Sequence, residues 1–195
     1  MITPFRHFIR HLHLLFDDAT LSTTQRQQQA TQLLKTLVQQ HSWLPRAYAE
    51  PDPDRYRQML LYADLHERFS VLSFIWGPGQ QTPIHDHGVW GLVGVLRGAE
   101  IDQRYKPAAD GSLHLIDATT LNEGDVSLIC PRQGDIHAVK NAYEDQVSIS
   151  IHLYASNIGR IDRQLYENDG TTRPFISRYQ NASVPNLWFE DSDSM

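Results

Sequence analysis

The sequence has very little cysteine, because Cys130 is the only one among its 195 residues. A lone cysteine cannot form a disulfide within the chain, so we expect a reducing, cytoplasmic setting and a small buried core side chain at this position. An excess of basic charge is also missing, since 17 Lys and Arg stand against 23 Asp and Glu, for a formal net charge of −6. This balance argues against a nucleic-acid partner and against an anionic-membrane partner.

Long apolar segments are absent from the sequence as well. Residues 1–16 are interrupted by arginines and histidines, so they do not fit a signal peptide or a membrane helix. Repeats, low-complexity tracts and linkers are also missing, and we therefore predict a single domain over residues 1–195.

Residues 1–45 have the apolar periodicity of amphipathic helices, and Ser22 with Gln25 forms a capping-box pattern at the start of the second one. From about residue 56 the pattern changes to short Val-, Ile-, Leu- and Tyr-rich runs separated by turn residues. We predict a mainly β fold, a β-barrel or jelly roll over residues 56–180, with an N-terminal helical cover and an irregular tail at 181–195. The candidate strands are 59–62, 69–76, 89–96, 100–106, 113–117, 125–130, 137–139 and 147–154.

Three histidines form a candidate metal site. His85 and His87 are two residues apart, a spacing that puts both side chains on one face of a strand, and His137 lies farther along the chain. Imidazole suits Fe, Zn, Cu and Ni, and three ligands leave coordination positions open for chemistry. The pair alone is equally compatible with two hydrogen-bonded or surface histidines.

The surrounding residues make the metal interpretation more specific. They resemble the two motifs of cupins: Gly79, His85-Asp86-His87 and Gly98 follow the first, and Gly124, Pro131, Gly134, His137 and Asn141 follow the second, with one extra residue in each of two gaps. Gly91 stands where the first motif has a glutamate ligand, so the metal would be held by three neutral imidazoles. A metal whose charge is not compensated by a protein carboxylate favours an anionic ligand such as a thiolate.

Residues 56–166 resemble the cysteine dioxygenase family of cupins. The similar segments are Trp76-Gly77, Ile84-His85-Asp86-His87-Gly88, His137 and Ser150-Ile-His152-Leu-Tyr154. The resemblance implies Fe(II) bound by the three histidines, O2 as co-substrate, and conversion of a small thiol to its sulfinic acid. It also implies a relay of Ser150, His152 and Tyr154, which alternation would place on one strand face, although such a face often meets solvent. Some family members crosslink this tyrosine to a cysteine, but here Gly91 occupies the matching position and no crosslink is expected.

The residues that would bind the substrate carboxylate depend on a one-residue choice of register. Cysteine-specific members have an arginine on the strand before the metal motif, and the alignment puts Gln58 there, with Arg57 on the other face. The 3-mercaptopropionate dioxygenases have a glutamine at this position and an arginine after the Ser-His-Tyr strand, which Arg163 matches best and Arg160 less well. We therefore favour 3-mercaptopropionate, while an inward Arg57 would indicate L-cysteine.

Two other classes stay open on the sequence. Three-histidine cupins also include enzymes of other chemistry and proteins that bind a metal or small ligand without catalysis. The Ser-His-Tyr strand favours the thiol dioxygenases over both. The expected partners are a small thiol carboxylate and O2, and the sequence carries no signal for the oligomeric state.

Overall fold

The computed structural model describes residues 2–188. The chain opens with two helices, α1 (Thr3–Asp17) and α2 (Thr23–Val38), followed by a 3-10 turn at Arg46–Tyr48. The predicted capping box is present at the start of α2, where the Ser22 hydroxyl accepts from the Gln25 N–H and the Gln25 side chain accepts from the Ser22 N–H. Neither described helix has the length and apolar character needed to cross a membrane.

Eleven strands follow within the described residues. They are β1 (Arg57–Ala63), β2 (Ser70–Trp76), β3 (Ile84–His85), β4 (Gly91–Arg97), β5 (Ala99–Pro107), β6 (Leu113–Asn122), β7 (Val126–Ile129), β8 (His137–Asn141), β9 (Ser148–Tyr154), β10 (Arg163–Tyr166) and β11 (Thr172–Phe175). The strands form two antiparallel sheets, one with the order β1-β2-β9-β4-β7 and the other with the order β11-β10-β3-β8-β5-β6. This is the predicted mainly β, cupin type of jelly roll, but within residues 2–188 the sheets are not joined into a closed hydrogen-bonded barrel.

The helices cover the outer face of the five-stranded sheet, as predicted. Ile149, Ile151 and Leu153 of β9 are fully buried in one apolar cluster with Leu34 and Val38 of α2. Alternation along β9 turns the intervening side chains the other way, into the space between the two sheets. The same strand therefore anchors the helical cover on one face and supplies the polar groups of the interior on the other.

Three strands were not predicted, namely β3, β10 and β11. β3 has only two residues and the other two have four each, too few to show an alternating apolar pattern. His87 lies beyond the end of β3, because the chain turns at Gly88 with φ of +66°. The expectation that His85 and His87 share one strand is therefore wrong in detail. Residues 189–195 of the predicted tail lie outside the described residues.

Candidate metal centre and substrate cavity

Strand pairing brings the three histidines together. His85 of β3 stands directly opposite His137 of β8, and the turn after β3 brings His87 to the same point. The ring centroids are 4.8 Å apart for His85 and His87 and 4.9 Å apart for each of the other two pairs. Nitrogen atoms of all three rings lie within 4.8 Å of one another, so a single ion can contact all of them.

Hydrogen bonds fix the orientation of two of these imidazoles. The Nδ1–H of His85 donates to the Pro83 carbonyl at 3.0 Å, and the Nδ1–H of His137 donates to the Asp102 carboxylate at 2.6 Å. Because Nδ1 carries the proton in each ring, Nε2 keeps its lone pair for a metal. Asp102 is held in turn by the Nε–H of Arg104 at 3.1 Å.

The third imidazole supplies the strongest sign that a metal belongs here. His87 is fully buried, and neither of its ring nitrogens has a hydrogen-bond partner among residues 2–188. Unpaired buried polar atoms are costly, and metal coordination removes that cost. Burial, followed by the neighbouring histidines, also holds the pKa of His85 and of His87 well below its ordinary value, so both rings stay neutral and able to bind a cation.

Gly91 matters because of what lies beside it. It pairs with Tyr154 across β4 and β9, and a Cβ at position 91 would come within 2.6 Å of the Tyr154 ring. That distance is too short for a real contact, so any side chain at position 91 would displace the ring. The tyrosine ring in turn stacks on His87, with centroids 5.5 Å apart. With glycine at position 91, the metal site lacks the glutamate of the first cupin motif, and the Tyr154 ring has room beside the backbone.

Ser150, His152 and Tyr154 form a continuous hydrogen-bonded chain on the inner face of β9. Ser150 Oγ lies 2.9 Å from His152 Nε2, and His152 Nδ1 lies 2.8 Å from the Tyr154 hydroxyl. The Trp76 indole N–H donates to Ser150 Oγ at 3.2 Å. All three side chains are buried, so this face does not meet solvent. Burial lowers the pKa of His152 to about 3 and raises the pKa of Tyr154 above its ordinary value, so both groups are neutral near pH 7.

A cavity of about 110 Å³ lies beside the histidines, between the two sheets. Most of the candidate site residues predicted from the sequence line this cavity, whereas His87 and Ser150 do not. Aromatic rings form much of its surface, including Phe74, which stacks on His152 with centroids 4.0 Å apart. The predicted site residues that line it are Gln58, His85, His137, His152, Tyr154 and Arg163.

Arg163 contributes a positive charge to this cavity. Its side chain is 5% exposed, its guanidinium lies over the Phe175 ring at 4.5 Å, and its Nε has no hydrogen-bond partner within residues 2–188. Burial lowers the pKa of Arg163, although an arginine stays protonated at any ordinary pH. A buried guanidinium with an unpaired N–H is well suited to an anionic ligand.

The other candidate carboxylate-binding residues are placed differently. The Gln58 amide donates to Ser177 Oγ and to the Arg178 carbonyl, both at 3.1 Å, so its N–H groups are already used within the protein. Arg57 points away from the cavity and donates to the Glu50 carbonyl at 2.9 Å. Arg160 is also outside the cavity, with an exposed side chain paired to Glu67.

The sequence of this chain matches one family over most of its length. The model described as cysteine dioxygenase type I covers residues 6–165. This chain belongs to the cysteine dioxygenase family. Its structure is similar to a double-stranded β-helix protein from Klebsiella pneumoniae (19% identity, TM-score 0.49, 62% of this chain and 92% of the other covered). It is also similar to a cupin superfamily protein from Desulfitobacterium hafniense (16% identity, TM-score 0.45, 60% and 94% covered).

Members of the cysteine dioxygenase family are non-haem iron enzymes that use O2, so membership implies a dioxygenase acting on a small thiol. The three histidines fit the metal that the family requires. Their nitrogen donor set suits several divalent metals, iron among them.

Two residues that hold the metal-binding histidines in place, Asp102 and Asp135, were not predicted from the sequence. Asp102 orients His137, and Asp135 accepts the backbone N–H groups of His87 and Gly88 at 3.0 and 3.3 Å. The signal for Asp102 was its inward position in the alternation of β5, whereas Asp135 lies in a loop with no periodic pattern. Cys130 is buried, as expected.

Proposed function

We propose that this protein is an iron-dependent thiol dioxygenase that adds both atoms of O2 to the sulfur of 3-mercaptopropionate, giving the sulfinic acid. The observation that carries this proposal is Arg163, a buried cation with an unpaired Nε, which lines the same cavity as His85 and His137 of the three-histidine cluster. A short thiol carboxylate has two anionic ends, a thiolate for the metal and a carboxylate for the guanidinium.

The charges around the cavity favour this substrate. Three neutral imidazoles leave the positive charge of a bound metal uncompensated, and Arg163 adds a second positive charge. A ligand with two negatively charged ends can place one end at each of these two positive centres. The Phe175 ring beneath the guanidinium holds that side chain in place before the ligand arrives.

The choice between 3-mercaptopropionate and L-cysteine rests on the amine. The cavity-lining residues within the described part of the chain include no Asp or Glu that could pair with an ammonium group. The amine of L-cysteine would therefore find a partner only on the metal, because an ammonium group left unpaired in a buried site is costly. Arg57, whose inward orientation would indicate L-cysteine, bonds to Glu50 instead.

The residues of the chain have distinct roles in the proposed reaction. Iron(II) held by His85, His87 and His137 would supply the activation of O2. Arg163 fixes the carboxylate end of the substrate, so that the sulfur end is directed to the histidines. The Tyr154 hydroxyl donates a hydrogen bond toward the reacting atoms, while the aromatic wall of Phe74, Trp76 and Phe175 limits the access of water.

The test is O2 uptake by the iron-loaded protein, with sulfinate measured in parallel, on 3-mercaptopropionate, L-cysteine and 1-propanethiol. We expect uptake coupled to sulfinate and the highest kcat/KM with 3-mercaptopropionate. A higher kcat/KM with L-cysteine would identify L-cysteine, rather than 3-mercaptopropionate, as the substrate. Iron binding without O2 uptake on any thiol would indicate another cupin chemistry or a binding protein.

A further inference from the structure

A buried carboxyl group, Glu100, lies at the inner end of the Ser150-His152-Tyr154 chain. Glu100 is on β5, in the sheet opposite β9, and its side chain has no exposed surface. Its Oε1 accepts from the Ser148 hydroxyl at 3.4 Å. Ser150, two residues from Ser148 on the same inward face of β9, is the next hydroxyl beside this carboxyl, and it influences the pKa of Glu100.

The surroundings of Glu100 are poor for a carboxylate. Its Oε2 is buried without a partner in the described part of the chain, and the bond from Ser148 is long. A buried carboxylate needs several donors to offset desolvation, whereas a protonated carboxyl is itself a donor. Burial, the largest influence, raises the pKa of Glu100 to about 8, so the group is mainly protonated at neutral pH.

The hydrogen bonds of the chain can run in two directions. A protonated Glu100 can turn its O–H toward Ser150; Ser150 then donates to His152 Nε2, and the Nδ1–H of His152 donates to Tyr154. The Tyr154 O–H is then free to donate into the cavity. When Glu100 is ionised, Ser150 donates to Glu100, the Nε2–H of His152 donates to Ser150, and Tyr154 donates to His152 Nδ1. No proton is gained or lost within the chain itself, because each hydroxyl has one donor and two acceptor sites.

We propose that Glu100 is a positioning residue whose carboxyl proton orients the Ser150-His152-Tyr154 chain, so that the Tyr154 hydroxyl donates toward the ligand in the cavity. The catalytic consequence rests on the proposed function, whereas the orientation itself does not. The indole N–H of Trp76 donates to Ser150 in both arrangements and therefore does not select between them.

The other ionisable groups around Glu100 do not replace it in this role. Asp102, on the same strand, is engaged by His137 and Arg104, and its pKa is lowered because their hydrogen bonds and charges outweigh burial. His152 and Tyr154 on β9 both stay neutral near pH 7. The facing residue on β8 is the amide Asn141, which does not titrate.

The test reads the His152 tautomer directly by long-range 1H–15N correlation NMR on the full chain loaded with diamagnetic Zn2+. At about pH 6, where a group of pKa about 8 is protonated, we expect the proton of His152 on Nδ1, and at about pH 10 on Nε2. In Glu100→Gln, the amide keeps its oxygen toward Ser148 and its NH2 toward Ser150, so the proton should stay on Nδ1 at both values. Glu144→Gln, an exposed carboxylate paired with Lys140, is the matched control and should behave like the unsubstituted protein.

The same variants give a second measurement with iron and substrate. The kcat of the unsubstituted protein should fall as the pH rises through about 8, and Glu100→Gln should lose this fall. A His152 tautomer that is unchanged with pH, or that changes equally in Glu100→Gln, would overturn the inference. Inactivity on every thiol would overturn the proposed function instead and would leave the tautomer measurement to decide the role of Glu100.

Discussion

Replacing Arg163 with Gln removes the only Lys or Arg among the cavity-lining residues of the described chain. Glutamine keeps one hydrogen-bond donor but loses the charge and the two-pronged geometry that suits a carboxylate. The substitution therefore tests the carboxylate-binding role with little change in side-chain volume. The substrate 3-mercaptopropionate should be affected, and 1-propanethiol, which has a methyl group in place of the carboxylate, should not.

The magnitude follows from the burial of Arg163. Removing one partner of a buried, hydrogen-bonded charge pair costs about 2–5 kcal/mol. Because glutamine keeps one donor, we expect the lower half of this range, about 2–4 kcal/mol. At about 1.4 kcal/mol for each factor of ten, kcat/KM for 3-mercaptopropionate should fall by about 30- to 1000-fold, mainly through KM.

The thermal stability of Arg163→Gln should not fall with its kcat/KM. Arg163 is 5% exposed and its Nε is unpaired within residues 2–188, so the ligand-free protein bears the cost of burying this charge. Arg163→Gln should therefore have a Tm equal to or above that of the unsubstituted protein. A combination of lower kcat/KM and unchanged or higher Tm separates a binding role from a folding defect.

The assay is steady-state O2 uptake with both thiols, and Arg57→Gln is the matched control because Arg57 lies outside the cavity. The control should retain its kcat/KM on 3-mercaptopropionate. The carboxylate-binding role of Arg163 is refuted if Arg163→Gln leaves kcat/KM for 3-mercaptopropionate unchanged, or if it lowers kcat/KM by the same factor for both thiols. The first result would move the carboxylate to another group, and the second would indicate a general disturbance of the site.

Three further substitutions test the geometry of the centre. Gly91→Ala places a Cβ within 2.6 Å of the Tyr154 ring and should lower kcat by about 100-fold while iron content is retained; an unchanged kcat would show that the ring position is not required. Tyr154→Phe should lower turnover by about 100-fold with iron still bound, and loss of iron would assign the tyrosine a structural role instead. Asp102→Asn should weaken metal binding by about 10- to 100-fold in a metal titration, because the His137 ring loses its charged acceptor, and an unchanged affinity would contradict that role.

The sequence was most informative where local patterns decide the structure. The capping box at Ser22 and Gln25 and the alternation along β9 depend on residues that are close in the chain, and both were predicted. The strand bounds were less accurate, since β6 continues to Asn122, beyond the predicted end at residue 117. In its second half only Leu121 is buried and the neighbouring residues are exposed, so apolar alternation could not mark its end.

Parts of the candidate site depend on contacts between distant segments, and the sequence does not show these. β10 is assigned through its pairing with β3 and β11, and its four residues have no strand pattern of their own. Asp102 supports His137 across the pairing of β5 with β8, at a separation of 35 residues. Glu100 acquires its surroundings only when the two sheets face each other. The metal ligands could be found from spacing, whereas the groups that orient them required the fold.

The pairing of β10 with β3 has a consequence for the length of the ligand. Leu165 stands opposite His85, and Arg163 lies two residues from Leu165 on the same face of β10. The backbone thus places the Cα of Arg163 on the order of 7 Å along β10 from the residue opposite His85, the rise of two strand residues. Asp86 fixes this placement further, because its carboxylate accepts from the Gln164 N–H and the Tyr166 hydroxyl on the same strand. Under the proposed function, we expect the site to discriminate among thiol carboxylates by the number of methylenes between sulfur and carboxylate, with mercaptoacetate too short and 4-mercaptobutyrate too long to reach both ends.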